Sequence, residues 1–189
     1  MHLSLCLLIS VFARTIFALS PSQIIDSLDT LTVAANKITP LLNEIVADID
    51  TKSQDILKSK ELLDQLTTNY VAFANSVATN PGEIVCDQSV SSQVGQVADT
   101  HSKAFSTMGI ALTRVLPTYN KYGYYVDGCN DGVAIGLHAI TLFTDLAVMF
   151  PRDGLALLFS GLLENLRVPL VELSAVGCFV PLLGPLPLR

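Results

Sequence analysis

The histidines of this sequence are the side chains best suited to acid–base chemistry. His138 precedes Asp145 by seven residues, which on a helix places both side chains on about the same face, two turns apart. Such a pair could transfer protons to and from a substrate. His101 falls on the apolar side of a helical pattern. That position favours a hydrogen-bonded core histidine over a base or a metal ligand.

No nucleophile motif accompanies these histidines. The sequence contains no Gly-x-Ser-x-Gly, no His-Glu-x-x-His, no phosphate-binding glycine loop and no Cys-x-x-Cys. The segment 127–132 resembles a calcium loop only faintly and lacks the downstream glutamate, so we interpret it as turn and helix-cap chemistry. The sequence therefore predicts a protein that is not an enzyme, with no metal and no cofactor.

Apolar residues recur at steps of three and four in the first two thirds of the chain, which is typical of amphipathic helices. Three such stripes run over residues 24–49, 56–77 and 90–115. Proline restricts a helix because it lacks the backbone N–H and crowds the preceding turn. We expect Pro40 to kink or divide the first helix, and we expect the third helix to end before Pro117.

The last third of the sequence predicts a loop and two apolar helices. Residues 117–132 are rich in turn-forming types, and Asp131 could cap a fourth helix over 132–150. A fifth helix would begin at Pro151 and run to about Ala175, bent at Pro169. Five long amphipathic helices with short connections predict an all-α fold, an up-down bundle.

The first 18 residues predict an export signal. The apolar stretch 3–12 has the length of a signal-peptide core and is too short to span a bilayer. Cleavage after Ala18 avoids placing Pro21 directly behind the cut. We divide the chain into a signal peptide (1–18), a helical bundle domain (19–180) and a Pro-rich irregular tail (181–189). The mature protein is expected to be secreted and to carry no transmembrane segment.

Export to an oxidising compartment makes the cysteine positions informative. Cys86, Cys129 and Cys178 follow the signal, so at most one intramolecular disulfide can form. In an up-down bundle Cys86 lies at one end, whereas the other two lie at the opposite end. Since a disulfide needs Cα atoms within about 7 Å, we predict the pair Cys129–Cys178.

The composition argues against nucleic acid as a partner and shows a surplus of apolar residues in the last third of the chain. A net charge of −6 with no basic run argues against nucleic acid. Residues 132–150 and 155–180 carry more apolar side chains than one bundle face needs. They could be central buried helices, could insert in a membrane, or could line an apolar cavity or patch. Insertion is disfavoured because charged residues interrupt both runs, at roughly 3 kcal/mol for a charge near mid-bilayer.

Three segments carry a family resemblance. The signal leads directly into Ile24–Thr32, residues 111–121 include Ala-Leu-Thr and Leu-Pro followed by Lys121, and 132–175 holds Pro151 between two apolar helices. These resemble the opening helix, the mid-chain helix end and the closing helical pair of the fungal hydrophobic surface binding protein A family, also called cell-wall galactomannoproteins. The similarity covers most of the chain after the signal.

The resemblance implies a secreted or cell-wall-associated protein that adsorbs to hydrophobic surfaces or holds a fatty-acid-like ligand between helices. The sequence lacks a Ser/Thr-rich wall stalk, which favours a freely secreted form. Six apolar residues are predicted to line a ligand channel or the core, two roles that the sequence does not separate: Leu42, Phe73, Leu137, Leu146, Phe159 and Leu166. The alternatives are a secreted protein-binding module, acting as an inhibitor or effector through a helix face, and a structural wall component.

Overall fold

The computed structural model describes residues 19–47, 53–80, 82–152 and 154–181. Within these ranges it contains five α-helices and no strand: α1 Pro21–Ala47, α2 Ser53–Ala78, α3 Gln88–Lys121, α4 Tyr125–Met149 and α5 Leu155–Ala175. The predicted all-α fold is confirmed for this part of the chain. The predicted signal peptide and all but the first residue of the predicted tail lie outside the described residues.

The helices run alternately up and down in two layers. One layer contains α1, α3 and α5, and the second contains α2 and α4. Tyr119 near the end of α3 meets Ser59 near the start of α2, with 2.5 Å between their hydroxyl oxygens. At the other end, the backbone N–H of Ile84 donates to the Met149 carbonyl at the end of α4. Consecutive helices are therefore antiparallel, as the up-down prediction requires.

The apolar stripes are the buried faces of the first three helices. All described members of the first two stripes are buried, and so are most of the third, where Val90 and Val97 are half-buried. Ile49, the last member of the first stripe, lies outside the described residues. Burying a Leu or Ile side chain contributes about 1.5–3 kcal/mol, so these stripes hold the bundle together.

The structure contradicts the prediction for Pro117 and one of the two alternatives for Pro40. Pro40 does not divide α1, and α3 continues past Pro117 to Lys121. Both prolines lie exposed at the surface of their helices. A helical proline costs about 3 kcal/mol. Residues beyond each proline offset that cost by burial, namely Leu42 in α1 and the hydrogen-bonded Tyr119 in α3.

The predicted loop over 117–132 is also wrong, because α3 and α4 are joined by only three residues, 122–124. Glycines that suggested turns instead allow close helix packing. A Cβ on Gly128 would lie 2.7 Å from Tyr119 Cδ2, and one on Gly132 would lie 2.7 Å from Leu112 Cδ2. Asp131 is consequently an interior residue of α4 and not its cap.

Central burial explains the apolar character of α4. Among the described residues this helix alone is long and apolar enough to cross a membrane, with a mean hydropathy of 1.7. It is packed against α2, α3 and α5, however, and a core helix of a soluble bundle meets the same criterion. The helix α5 runs to Ala175 as predicted, with Pro169 inside it and packed against Gly109.

Candidate functional site

The cysteine pairing agrees with the prediction. Cys129 in the first turns of α4 and Cys178 just after α5 form a disulfide, with Cα atoms 5.3 Å apart. Next to it, the Tyr125 hydroxyl donates to the Val176 carbonyl at 2.5 Å. Cys86 lies half-buried in the α2–α3 connection at the other end of the bundle. The disulfide therefore ties the end of α5 to the start of α4.

A buried polar network connects the first three helices at His101. Thr32 Oγ1 lies 3.1 Å from His101 Nδ1, and the Tyr70 hydroxyl lies 2.6 Å from His101 Nε2. Thr32 donates its own proton to the Leu28 carbonyl at 2.7 Å, so it must accept from Nδ1. Nδ1 therefore carries the imidazole proton, and Nε2 accepts from Tyr70. Both imidazole nitrogens of His101 thus have a hydrogen-bond partner in this network.

The network is suited to holding helices together and not to catalysis. Burial lowers the pKa of His101 to about 3 and raises that of Tyr70 well above its usual value. Both side chains are fully buried, with the Phe105 ring packed edge-on against Tyr70 and the Phe143 ring tilted against His101. A neutral imidazole without access to solvent cannot reach a substrate proton.

The second candidate pair, His138 and Asp145, is half-buried on α4. Within the described ranges no hydrogen bond or ion pair joins the two side chains. Burial raises the pKa of Asp145 above its usual value. The described residues also contain no group of three or more His, Cys, Asp or Glu placed to hold a metal ion. Neither histidine thus belongs to an assembled acid–base site.

Three aspartates surround one lysine between α2 and α4. Lys60 Nζ lies 3.9 Å from Asp64 and 3.8 Å from Asp127. Asp131 Oδ2 is buried beside them and has no hydrogen-bond donor. Burial, and then the Asp64 carboxylate, raise the pKa of Asp131 to about 6, while Lys60 opposes the shift. A protonated Asp131 can donate to Asp64, so this group favours one bound proton.

We expect Asp131→Asn to stabilise the protein by about 1 kcal/mol at pH 7, discounted for the partial exposure of the side chain. The folded pKa of Asp131 lies above its unfolded value, so the charged carboxylate costs stability above pH 6, and that cost is relieved as the pH falls towards 4. Urea unfolding at several pH values should show the gain shrinking on acidification. Asp26→Asn, on the exposed side of α1, should change little; an equal gain there would contradict the explanation.

A surface groove lies between α1 and α2. Because α1 packs mostly on α3 and α2 mostly on α4, the two helices meet each other less extensively. One section of the groove has a volume of about 450 Å³ and the next about 290 Å³. Thr30 and Asn69 line both sections, so the groove is continuous. It follows α1 from Ser27 to Ile38, about 16 Å at 1.5 Å per residue.

The groove has an apolar floor and a polar rim. The floor is formed by Leu31, Val33, Ala34, Ile38, Leu62, Leu66 and Phe73. The rim carries Asp29, Gln65, Asn69 and Lys37, and Lys37 lies at one end. No ion pair to Lys37 occurs in the part of the chain that the structure describes. The groove could therefore hold an extended apolar group whose end bears a negative charge.

The six predicted ligand residues lie mostly in the packed interior. Leu42, Leu146, Phe159 and Leu166 are fully buried, and Leu137 is half-buried against the core. Phe73 also borders the groove. The exposed lining of the α1–α2 groove was not predicted from the sequence. One signal of it was Val33, an apolar residue on the polar side of α1, whose side chain is 52% exposed.

No protein-family model, no curated protein and no solved structure matches the chain. Function must therefore be argued from the site itself.

Proposed function

We propose that this protein is a secreted, non-catalytic binder of apolar ligands that holds its ligand in the groove between α1 and α2. The observation that carries the proposal is the continuous apolar floor between two amphipathic helices, open to solvent along its length. Small-molecule sites are concave and mostly apolar, with a few polar groups that fix orientation. The α1–α2 groove shares the apolar floor of such sites, although about half of its lining residues are polar.

A fatty acid is the ligand class that fits best. Its chain would lie along the floor and exclude water from Val33, Ala34 and Leu62, at about 25 cal/mol for each Å² of apolar surface buried. Its carboxylate would lie at Lys37, where an exposed charge contributes direction more than affinity. Adsorption to an extended hydrophobic surface would use the same residues, with α1 and α2 moving apart so that their apolar faces cover that surface.

Secretion is part of the proposal and rests on two supports. The sequence begins with a segment that fits an export signal. A disulfide joins α4 to the chain after α5, and such bonds persist in oxidising compartments. The resemblance to hydrophobic surface binding proteins is consistent with both, and it would place this protein outside the cell or at a fungal cell wall.

Filling the groove is expected to weaken ligand binding without unfolding the bundle. Asn69 is exposed and lies where the two sections meet, so Asn69→Trp places a large ring over the floor. We expect the dissociation constant of a fluorescent fatty-acid analogue to rise by about tenfold or more, corresponding to about 1.4 kcal/mol. Fluorescence titration of purified protein measures it.

Asn75→Trp is the matched control, because it makes the same change at an exposed position of α2 outside the groove lining. It should bind the analogue like the wild type. Failure of the wild-type protein to bind saturably, or equal binding by the two tryptophan variants, would overturn the proposal. Native mass spectrometry with organic extraction of the purified protein would then show whether any lipid is carried at all.

A further inference from the structure

The two ends of the α1–α2 groove differ in their chemistry. The section that includes Lys37 has an apolar floor, formed by Val33, Ala34, Ile38, Leu62 and Leu66. The section at the opposite end is bordered by two serines, Ser27 from α1 and Ser76 from α2. The groove therefore leads from a positively charged end, over an apolar floor, to a second end that is polar and carries hydroxyl groups.

The hydroxyl groups of Ser27 and Ser76 are available to a ligand. Both side chains are half-buried, and within the described part of the chain neither has a hydrogen-bond partner. Thr30, which borders the same groove, instead donates its hydroxyl proton to the Asp26 carbonyl at 2.8 Å. Serines and threonines inside helices often make this bond to the preceding turn. Ser27 and Ser76 do not make it.

The distance between the two polar ends sets the length of a matching ligand. Ser27 and Lys37 are separated along α1 by about 15 Å, at 1.5 Å per residue. An extended chain advances about 1.2 Å for each bond, as the three backbone bonds of an extended residue show. A chain of about 14 carbons, counted at this advance, therefore reaches from one end to the other.

The charged side chains along α1 give such a chain a direction. Lys37 lies at one end, whereas Asp26 and Asp29 lie within one turn of Ser27 at the other. An anionic group is attracted to the Lys37 end and repelled from the Ser27 end. A neutral hydroxyl can both donate to and accept from Ser27 and Ser76. The polar end of the groove therefore favours a hydroxyl group over a second carboxylate.

We propose that the α1–α2 groove selects fatty acids that carry a hydroxyl group at the far end of the chain. The carboxylate lies at Lys37, the methylene groups cover the apolar floor, and the terminal hydroxyl replaces water at Ser27 and Ser76. An unsubstituted fatty acid places a methyl group there and displaces that water without replacing its hydrogen bonds. This inference rests on the proposed function and adds which member of the ligand class is preferred.

Competition against the fluorescent fatty-acid analogue measures this preference. The fourteen-carbon acid with a terminal hydroxyl should bind about fivefold more tightly than the unsubstituted fourteen-carbon acid, the effect of about one net hydrogen bond. It should also bind more tightly than the dicarboxylic acid of the same length. In the double variant Ser27→Ala, Ser76→Ala the hydroxylated and unsubstituted acids should bind equally. Ser174→Ala, at an exposed position of α5, is the matched control and should keep the wild-type preference.

A shorter ligand supplies an independent measurement. The eight-carbon acid with a terminal hydroxyl should bind more weakly than the unsubstituted eight-carbon acid, because its hydroxyl would lie over the apolar floor. Three results would each overturn the inference while leaving the proposed function intact: tighter binding of the unsubstituted or dicarboxylic fourteen-carbon acid, a hydroxyl preference that survives in the double serine variant, or the same preference at eight carbons. Failure of every acid to bind would overturn the proposed function as well.

Discussion

Replacing both Cys129 and Cys178 with alanine is expected to lower the free energy of unfolding by about 4 kcal/mol. The disulfide joins residues 49 apart in the sequence, so the cross-link removes a large share of the conformations open to the unfolded α4–α5 hairpin. The loss is comparable to much of the 5–15 kcal/mol that stabilises a typical domain. The native bundle itself should keep its five helices, because the α4–α5 contact is also made by buried leucines.

Guanidinium unfolding of the double variant, followed by circular dichroism, measures this loss. Cys86→Ala is the matched control, because it removes a half-buried thiol outside the Cys129–Cys178 bridge. That control should cost about 1 kcal/mol or less. If the double variant were no less stable than the control, the pairing would contribute nothing to stability and the loop-closure argument would be wrong. Reducing the wild-type protein should reproduce the effect of the double variant.

Acidification is expected to destabilise the bundle through His101 by about 1.4 kcal/mol for each pH unit below about 6.5. The folded pKa of His101 is lowered to about 3 by burial, so between pH 6.5 and 3 the unfolded chain binds a proton that the folded chain cannot. Stability from this group is complete above pH 6.5 and is lost progressively as the pH falls through that window. Between pH 6.5 and 4 the loss amounts to about 3 kcal/mol.

The measurement requires variants that separate His101 from Asp131, because the raised pKa of Asp131 acts in the opposite direction. In an Asp131→Asn background, the free energy of unfolding should fall steeply below pH 6.5. Adding His101→Gln should remove most of that slope, although it lowers stability at pH 7 by disturbing Tyr70 and Thr32. His138→Gln should leave the slope in place. An unchanged slope in the His101→Gln variant would show that another group binds the proton.

Two kinds of residue, glycine and proline, led to wrong predictions of helix ends and turns, because packing against distant residues keeps these segments helical. Gly128 and Gly132 look like turn residues, yet each lies within α4, where a neighbouring side chain occupies the space of a Cβ. Pro117 looks like a helix end, yet α3 continues because Tyr119 beyond it is buried and hydrogen-bonded to Ser59. These residues have a low helix propensity of their own, and contacts with distant parts of the chain outweigh it.

The periodicity of apolar residues does not predict the α1–α2 groove, for a related reason. Apolar spacing identifies the face of a helix that is buried, and it predicted the buried faces of α1, α2 and α3, with Leu42 and Phe73 among their residues. It does not say how closely two neighbouring helices approach. The α1–α2 groove exists because each of these helices packs more extensively on a third helix than on the other.

Spacing along the sequence determines some properties of this protein, and tertiary packing determines others. By itself the sequence determined five helices, their buried faces, the up-down order and the cysteine pair, because each depends on spacing along the chain or on topology. Only the tertiary structure decided that His101 is a neutral partner of Tyr70 and Thr32, and that α1 and α2 leave a groove between them. Burial and the distance between helices set these properties, and both depend on residues far apart in the sequence.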